Sequence, residues 1–364
     1  MWNCPVCDRM NDTPFCPVCG SDRSADARRF PTFSPLGRAI PSDAQLRRKR
    51  SALVICPDCG GDAFSLERDT GLARCRVCGR PHGAVSAAPA KKTITAIACG
   101  DAHTVALYSD GTVRAVGKNN CGQCNTGAWK DIVSISAGYE NTLGLRADGT
   151  VVAVGNNFKG KSMVHTLSGI RAISASNSAH TLFLRENGTV ASLGSNDHGQ
   201  QNTDDWRSII AVSAGSGYSL GLKHNGTVLA VGKNDDGRCD TQSWQKRFTA
   251  ISAGNWHALA LTRRGTAVAT GYNESQQCDV SDWRDLIGLC GGKYFSAGLR
   301  SDGTVCITSN EVAYQIAEGW TDITAIAAGD EHLVGLRADG ALVAAGFNKE
   351  GQCDVEKLMP EQLR

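Results

Sequence analysis

Asp131-Ile-Val-Ser-Ile-Ser-Ala-Gly138, then Asn141-Thr-Leu-Gly-Leu145, Asp148-Gly-Thr-Val151 and Val154-Gly-Asn-Asn157, form one copy of a pattern that the chain repeats seven times. The copies run from about Ile94 to the end. Their marker glycines are Gly111, Gly149, Gly188, Gly226, Gly265, Gly303 and Gly340, spaced 37 to 39 residues apart. A fixed period in this range belongs to propellers, solenoids and arrays.

Each copy reads as β-structure. Val133, Ile135 and Ala137 alternate with Ser134 and Ser136, which is the period of a strand. Leu143-Gly-Leu145 and Val151 to Val154 give two further runs. Between them Asp148-Gly149 signals a tight turn, because glycine accepts a positive φ without steric cost. A short irregular segment, around Gln123-Cys124 in the first copy, follows the third run. The middle of the second strand is Ala106, Gly144, Phe183, Gly221, Ala260, Gly298 or Gly335, so six of seven copies leave room for a neighbouring sheet. Blades packed face to face around an axis meet this requirement and expose only short edges. The expected fold is all-β, a seven-bladed β-propeller over residues 93–364, with a parallel β-helix as the alternative.

The residues Ala253-Gly-x-x-His-x-Leu-x-Leu261, Asp302-Gly-Thr-Val305 and Gly346-x-Asn-x-x-Gly-Gln352 resemble the repeats of the regulator-of-chromosome-condensation family. The resemblance covers about three quarters of the chain. The short period is most similar to the compact bacterial branch, which includes the propeller-type β-lactamase inhibitory protein. Membership would imply a seven-bladed propeller that binds other proteins with its loops. Eukaryotic members also suggest guanine-nucleotide exchange, which there uses a wedge between blades; no repeat step here has room for one.

The cysteines divide the chain. Eight of the 16 fall in four Cys-x-x-Cys knuckles: Cys4/Cys7, Cys16/Cys19, Cys56/Cys59 and Cys75/Cys78. A two-residue spacer lets both sulfurs face one ion, so paired knuckles read as tetrahedral four-cysteine zinc sites. Two structural Zn2+ ions are expected, one at residues 1–20 and one at residues 53–82. Four sulfurs fill each site, which leaves no open position for hydrolytic chemistry. In the second module Phe64 to Arg68 and Leu72 to Arg74 read as a hairpin around Asp69-Thr-Gly71. In the first, Trp2, Cys4, Cys7 and Asn11 are similar to the opening of the Ran-binding-protein type finger, but that type has a longer gap to its third cysteine. Whether the knuckles pair sequentially or interleave stays open.

Residues 21–52 read as a basic linker, with Arg47, Arg48, Lys49 and Arg50 as candidate phosphate contacts. Residues 83–92 form a second link. Residues 1–92 carry 15 Lys+Arg against 9 Asp+Glu, and the remainder 23 against 27. Two thiolate-bound zinc sites would cancel about four of the six excess positive charges, so bulk charge is weak support for nucleic-acid binding. No apolar run is long enough to span a membrane, and the start lacks the pattern of a signal peptide. A monomer in the reducing cytoplasm is expected.

Function is expected where the copies differ. His103, His180, His257 and His332 share one slot with Asn141, Tyr218 and Phe295, and repetition there argues for scaffold rather than catalysis. Asparagine fills another slot in every copy, from Asn119 to Asn348, and reads as a turn lock. The variable loop before the histidine slot is expected to carry a partner face of Tyr139, Glu140, Tyr218, Trp256, Tyr294, Phe295, Asp330 and Glu331. Exposed tyrosine and tryptophan are enriched at binding hot spots. No catalytic set is recognisable. The sequence thus points to a non-enzymatic protein-binding adaptor, with its zinc modules tethering a second partner. Nucleotide exchange and nucleic-acid association are the alternatives.

Overall fold

The computed structural model describes residues 92–361, apart from 246 and 310, together with five short strands nearer the N-terminus. Among those strands, Trp2–Asn3 pairs with Met10–Asn11. Phe64–Leu66 pairs antiparallel with Ala73–Cys75, which also pairs with Pro81–His82. This is the hairpin expected of the second zinc module. The zinc-ligand side chains and the Arg47 to Arg50 run lie outside the described residues.

Residues 94–346 form seven three-stranded antiparallel sheets, each contiguous in sequence. Blades 1 to 7 span residues 94–117, 132–155, 170–194, 209–232, 248–271, 286–307 and 323–346. The first strands of neighbouring blades touch one another around the ring and line its axis, and the first strand of blade 1 meets that of blade 7. The observed order supports the propeller. Each blade has three strands, and the fourth segment is a turn, a short 3-10 helix or, in blade 6, the short α-helix Val312–Gln315 followed by a 3-10 turn.

Among the described residues the apolar core is divided rather than central. Seven apolar clusters lie between consecutive blades, and the one joining blade 7 to blade 1 includes Ile97, Tyr108, Val334, Leu336 and Leu358. The Tyr108 hydroxyl donates to the Leu358 carbonyl at 2.5 Å and ties the C-terminal turn to blade 1.

Two expectations change in detail. The small residue of the second strand makes room for an indole ring rather than for a neighbouring backbone. A Cβ at Gly221 would lie 2.5 Å from the Trp206 ring, and one at Gly144 would lie 2.9 Å from that of Trp129. In blade 3 the sizes are exchanged, with Leu167 in the tryptophan place and Phe183 in the small place. The alternation in Ile132–Ala137 is also broken. A β-bulge falls between the pairings Arg146↔Ile132 and Leu145↔Ser134, which turns Val133 out to solvent. All seven blades carry a register shift at this point. Ser134 and Ser136 are buried instead, and the Ser136 hydroxyl accepts the Ala175 N–H of the next blade at 2.9 Å. Ser174, Ser213 and Ser252 repeat that link.

Candidate partner-binding face

The loops between first and second strands meet at one end of the ring. Tyr139 N–H donates to Ser176 O at 2.9 Å, Asn255 N–H to Gly292 O at 3.0 Å, and Lys293 N–H to Asp330 O at 3.0 Å. Asn177 Nδ2 reaches Asn255 Oδ1 at 3.1 Å, from blade 3 to blade 5. The turns after the third strands sit beside these loops, since Lys118 N–H bonds Ala102 O and Asn156 N–H bonds Glu140 O. The variable loops therefore share a face.

Beneath the face the repeated residues bolt blade to blade. His103 Nε2 lies 2.8 Å from Thr142 Oγ1 of blade 2, and that hydroxyl donates to Gln123 O of blade 1 at 2.7 Å. The hydroxyl has one proton and spends it on the carbonyl, so the facing ring nitrogen must be the donor. His180–Ser219–Gln200, His257–Ser296–Gln277 and His332–Thr104–Gln352 have the same form. Burial lowers the His103 pKa to about 4, and those of His180, His257 and His332 to about 3. These are neutral structural rings. His103, His257 and His332 fold over glycine, and a Cβ at Gly254 would lie 2.7 Å from His257 Nδ1; in blade 3 Ser176 takes that place and its hydroxyl donates to His180 O at 2.8 Å.

The asparagine slot locks the outer turn. Asn119 Oδ1 accepts the Cys124 N–H at 2.8 Å, and Asn234, Asn273 and Asn348 do the same for Cys239, Cys278 and Cys353. The four thiols point to backbone carbonyls, and burial raises their pKa to about 11 or 12. They are fillers, not nucleophiles.

Tyr218 and Phe295 correct the expected face. Both are 0% exposed. They occupy the histidine slot, so their rings fold over Gly215 and Gly292 into the junction below. The Tyr218 hydroxyl donates to His257 O, and Phe295 stacks on Tyr314 at 4.4 Å. Tyr314 belongs to the short helix Val312–Gln315, which replaces the Gly-Gln turn in blade 6. Asp330 is likewise buried, and desolvation together with Asp101 raises its pKa to about 7.

The other expected residues reach the surface. Tyr139 is exposed. Trp256 and Tyr294 are half-buried and meet edge to face at 5.1 Å, with Tyr272 against the other side of Trp256 at 5.7 Å. Lys293 lies over both Trp256 and Tyr294, and Glu331 is 3.9 Å from its ammonium. Glu140, held in the left-handed region at φ 56, pairs with Lys118 at 2.7 Å and accepts Asn156 Nδ2 at 3.1 Å. Sequence reasoning missed Phe158, Lys161 and Met163. Their signal was available: each breaks the repeat in blade 2. No group of three or more histidine, cysteine or acidic side chains suited to a metal occurs among the described residues.

Five segments, residues 94–123, 132–161, 170–200, 248–277 and 323–352, match the regulator of chromosome condensation (RCC1) repeat. They coincide with blades 1, 2, 3, 5 and 7; blades 4 and 6 carry Tyr218 and Phe295 in the histidine slot. Among solved structures, the ectodomain of the Physcomitrella patens receptor kinase CR4 is 19% identical over 70% of this chain and 74% of that one, with a TM-score of 0.60. The CRINKLY WD40 ectodomain of the Arabidopsis thaliana receptor kinase ACR4 is 18% identical over 71% of this chain and 97% of that one, with a TM-score of 0.61. Prp20p from Saccharomyces cerevisiae is 18% identical over 74% of this chain and 76% of that one, with a TM-score of 0.47. For the two receptor-kinase ectodomains the likeness is one of fold. A search of curated protein sequences found no match. No helix among the described residues is long and apolar enough to cross a membrane.

Proposed function

We propose that the RCC1-repeat propeller is a non-enzymatic protein-binding adaptor, and that its variable loop face grips the partner. The carrying observation is the group formed by Trp256, Tyr294, Tyr272 and Lys293, a rigid amphipathic cluster on loops of a closed ring. Binding energy concentrates in such aromatic clusters, and loops on rigid scaffolds are where binding resides. Trp256→Ala with Tyr294→Ala is expected to weaken partner capture by more than about tenfold with the thermal midpoint unchanged. Unchanged capture would remove this face from consideration.

The N-terminal modules hold two structural zinc ions on this reading, through Cys4, Cys7, Cys16, Cys19, Cys56, Cys59, Cys75 and Cys78, and tether a second partner. The support is the knuckle spacing together with the Phe64–Leu66/Ala73–Cys75 hairpin. Metal analysis of the full chain is expected to find two zinc ions per chain; finding none would end this part of the proposal. Nucleotide exchange is separated from adaptor function by release of a labelled guanine nucleotide from a small GTPase.

A further inference from the structure

Blade 2 departs from its siblings at three places in one turn. Phe158 stands where the others have Asn120, Asp197, Asp235, Glu274 or Lys349. Lys161 stands in the glutamine slot, and Met163 where the others have Asn125, Asn202, Asp240, Asp279 or Asp354. Phe158 is 59% exposed and Met163 50%, although each sits in a polar slot. Together with Tyr139 at 41%, they supply three of the seven exposed large apolar side chains among the described residues. Three such breaks in one turn of a regular array indicate a local task rather than a scaffold need.

The turn borders a cavity of about 300 Å³ between blades 2 and 3, lined by Tyr139, Asn156, Phe158, Lys161 and Ser178 among others. Lys161 is 1% exposed. Its ammonium donates to Tyr139 O at 2.5 Å and Ser178 O at 3.1 Å, and lies 5.6 Å from the centre of the Tyr139 ring. No described carboxylate forms an ion pair with it. The nearby acids are engaged elsewhere, Glu140 by Lys118 at 2.7 Å and Asp197 by Lys159 at 2.9 Å. Burial lowers the Lys161 pKa to about 8, and the weaker opposing pull of Glu140, which is not in ion-pair contact, does not offset it.

Blade 4 supplies the comparison. Arg238 fills the same slot and donates to the corresponding carbonyls, Ser216 O and Asn255 O. Its charge is matched by Asp236 two residues earlier. The blade 2 counterpart of Asp236 is Lys159, a second cation. A buried ion is costly without its counterion. Blade 4 carries that counterion within its own turn; blade 2 does not.

We propose that the junction of blades 2 and 3 is a docking site for a protein segment that places a carboxylate in the Lys161 cavity and an apolar side chain against Phe158. This rests on the protein-binding reading of the face and locates one contact within it. The occupant is an acidic peptide segment because the cavity offers an unmatched cation and its rim offers exposed apolar surface.

The test selects a displayed library of short random peptides on the full-length protein and synthesises the enriched sequences. Affinities are then measured on the wild type, Lys161→Gln, Phe158→Asn and Trp256→Ala. Glutamine and asparagine are what sibling blades carry at these places, so the first two variants keep the fold, and their thermal midpoints check this. Enriched peptides are expected to carry Asp or Glu beside an aromatic or aliphatic residue. Binding is expected to fall about tenfold or more in Lys161→Gln and in Phe158→Asn, and to persist in Trp256→Ala. Replacing the peptide acid by its amide is expected to weaken wild-type binding equally, with little further loss in Lys161→Gln. No binder, no enrichment of acids, equal binding to Lys161→Gln, or displacement by a short oligonucleotide would each overturn the proposal. Loss only in Trp256→Ala would keep the binding face but overturn this location.

Discussion

The junction between blades 1 and 2 and the junction between blades 2 and 3 occupy equivalent places and are built differently. In the first, His103, Thr142 and the Gln123 carbonyl form a closed hydrogen-bonded chain. In the second, Asn141, Thr181 and Lys161 stand in those three places and the chain is open. Asn141 Oδ1 and Thr181 Oγ1 are buried with no protein partner, and Lys161 has turned to the loop carbonyls at the face. Buried polar groups are normally paired, so an open junction weakens the ring locally. The closed form recurs at junctions 1–2, 3–4, 5–6 and 7–1, of which 7–1 and 1–2 are neighbours, and is missing at 2–3, 4–5 and 6–7. At those three the histidine slot holds Asn141, Tyr218 and Phe295. The Lys161 cavity thus lies at an open junction, whereas the Trp256/Tyr294 cluster lies over the closed 5–6 junction.

Acid should break this contrast most strongly. The four bolt histidines have folded pKa values of about 3 to 4, below the unfolded value near 6.5. Their contribution is therefore complete above pH ~6.5 and is lost as pH falls toward the folded values. The unfolded chain takes up protons in that window and the folded one does not, so stability falls as pH drops below ~6.5. Denaturant midpoints at pH 7 and pH 5 should differ sharply. Equal midpoints would mean that the rings are not neutral bolts.

Single substitutions compare the junctions directly. His257→Ala removes a bolt, leaves the Ser296 hydroxyl bonded only to the Gln277 carbonyl and opens a cavity in the junction, at a cost of about 2–4 kcal/mol. Asn141→Ala removes an already unpaired oxygen and should cost about 1 kcal/mol. Equal losses in urea unfolding would erase the distinction. The smallest effect belongs to Lys161→Gln, which should change stability by less than about 0.5 kcal/mol or raise it, since an unpaired buried cation is removed. A large loss there would make Lys161 a scaffold residue.

The blade count and the order of strands were legible in the sequence because seven copies state the same pattern. Three surface residues of the face, Tyr139, Trp256 and Tyr294, were legible because they fall in loops that vary between copies. Tyr218 and Phe295 were misread as surface aromatics. They fill the slot of His103, and that shared register was the sign that their rings turn inward over glycine. The bolts were only half visible. The histidine is local, but its hydroxyl partner comes from the next blade, so the link appears only when neighbouring copies are read together. Thr142, Ser219, Ser296 and Thr104 each receive a histidine; Ala258 and Leu333 follow the blades with Tyr218 and Phe295. Lys161 was passed over because its meaning depends on a missing counterion, which the comparison with Asp236 and Arg238 brings out.

The central claim is that the loop face binds a protein. Its most direct test is affinity capture with the full chain from nuclease-treated native lysate, beside the Trp256→Ala/Tyr294→Ala variant, with bound proteins identified by mass spectrometry. The account predicts a protein held by the wild type and lost by the folded variant. The same proteins held by both, or capture that disappears with nuclease treatment alone, would contradict it.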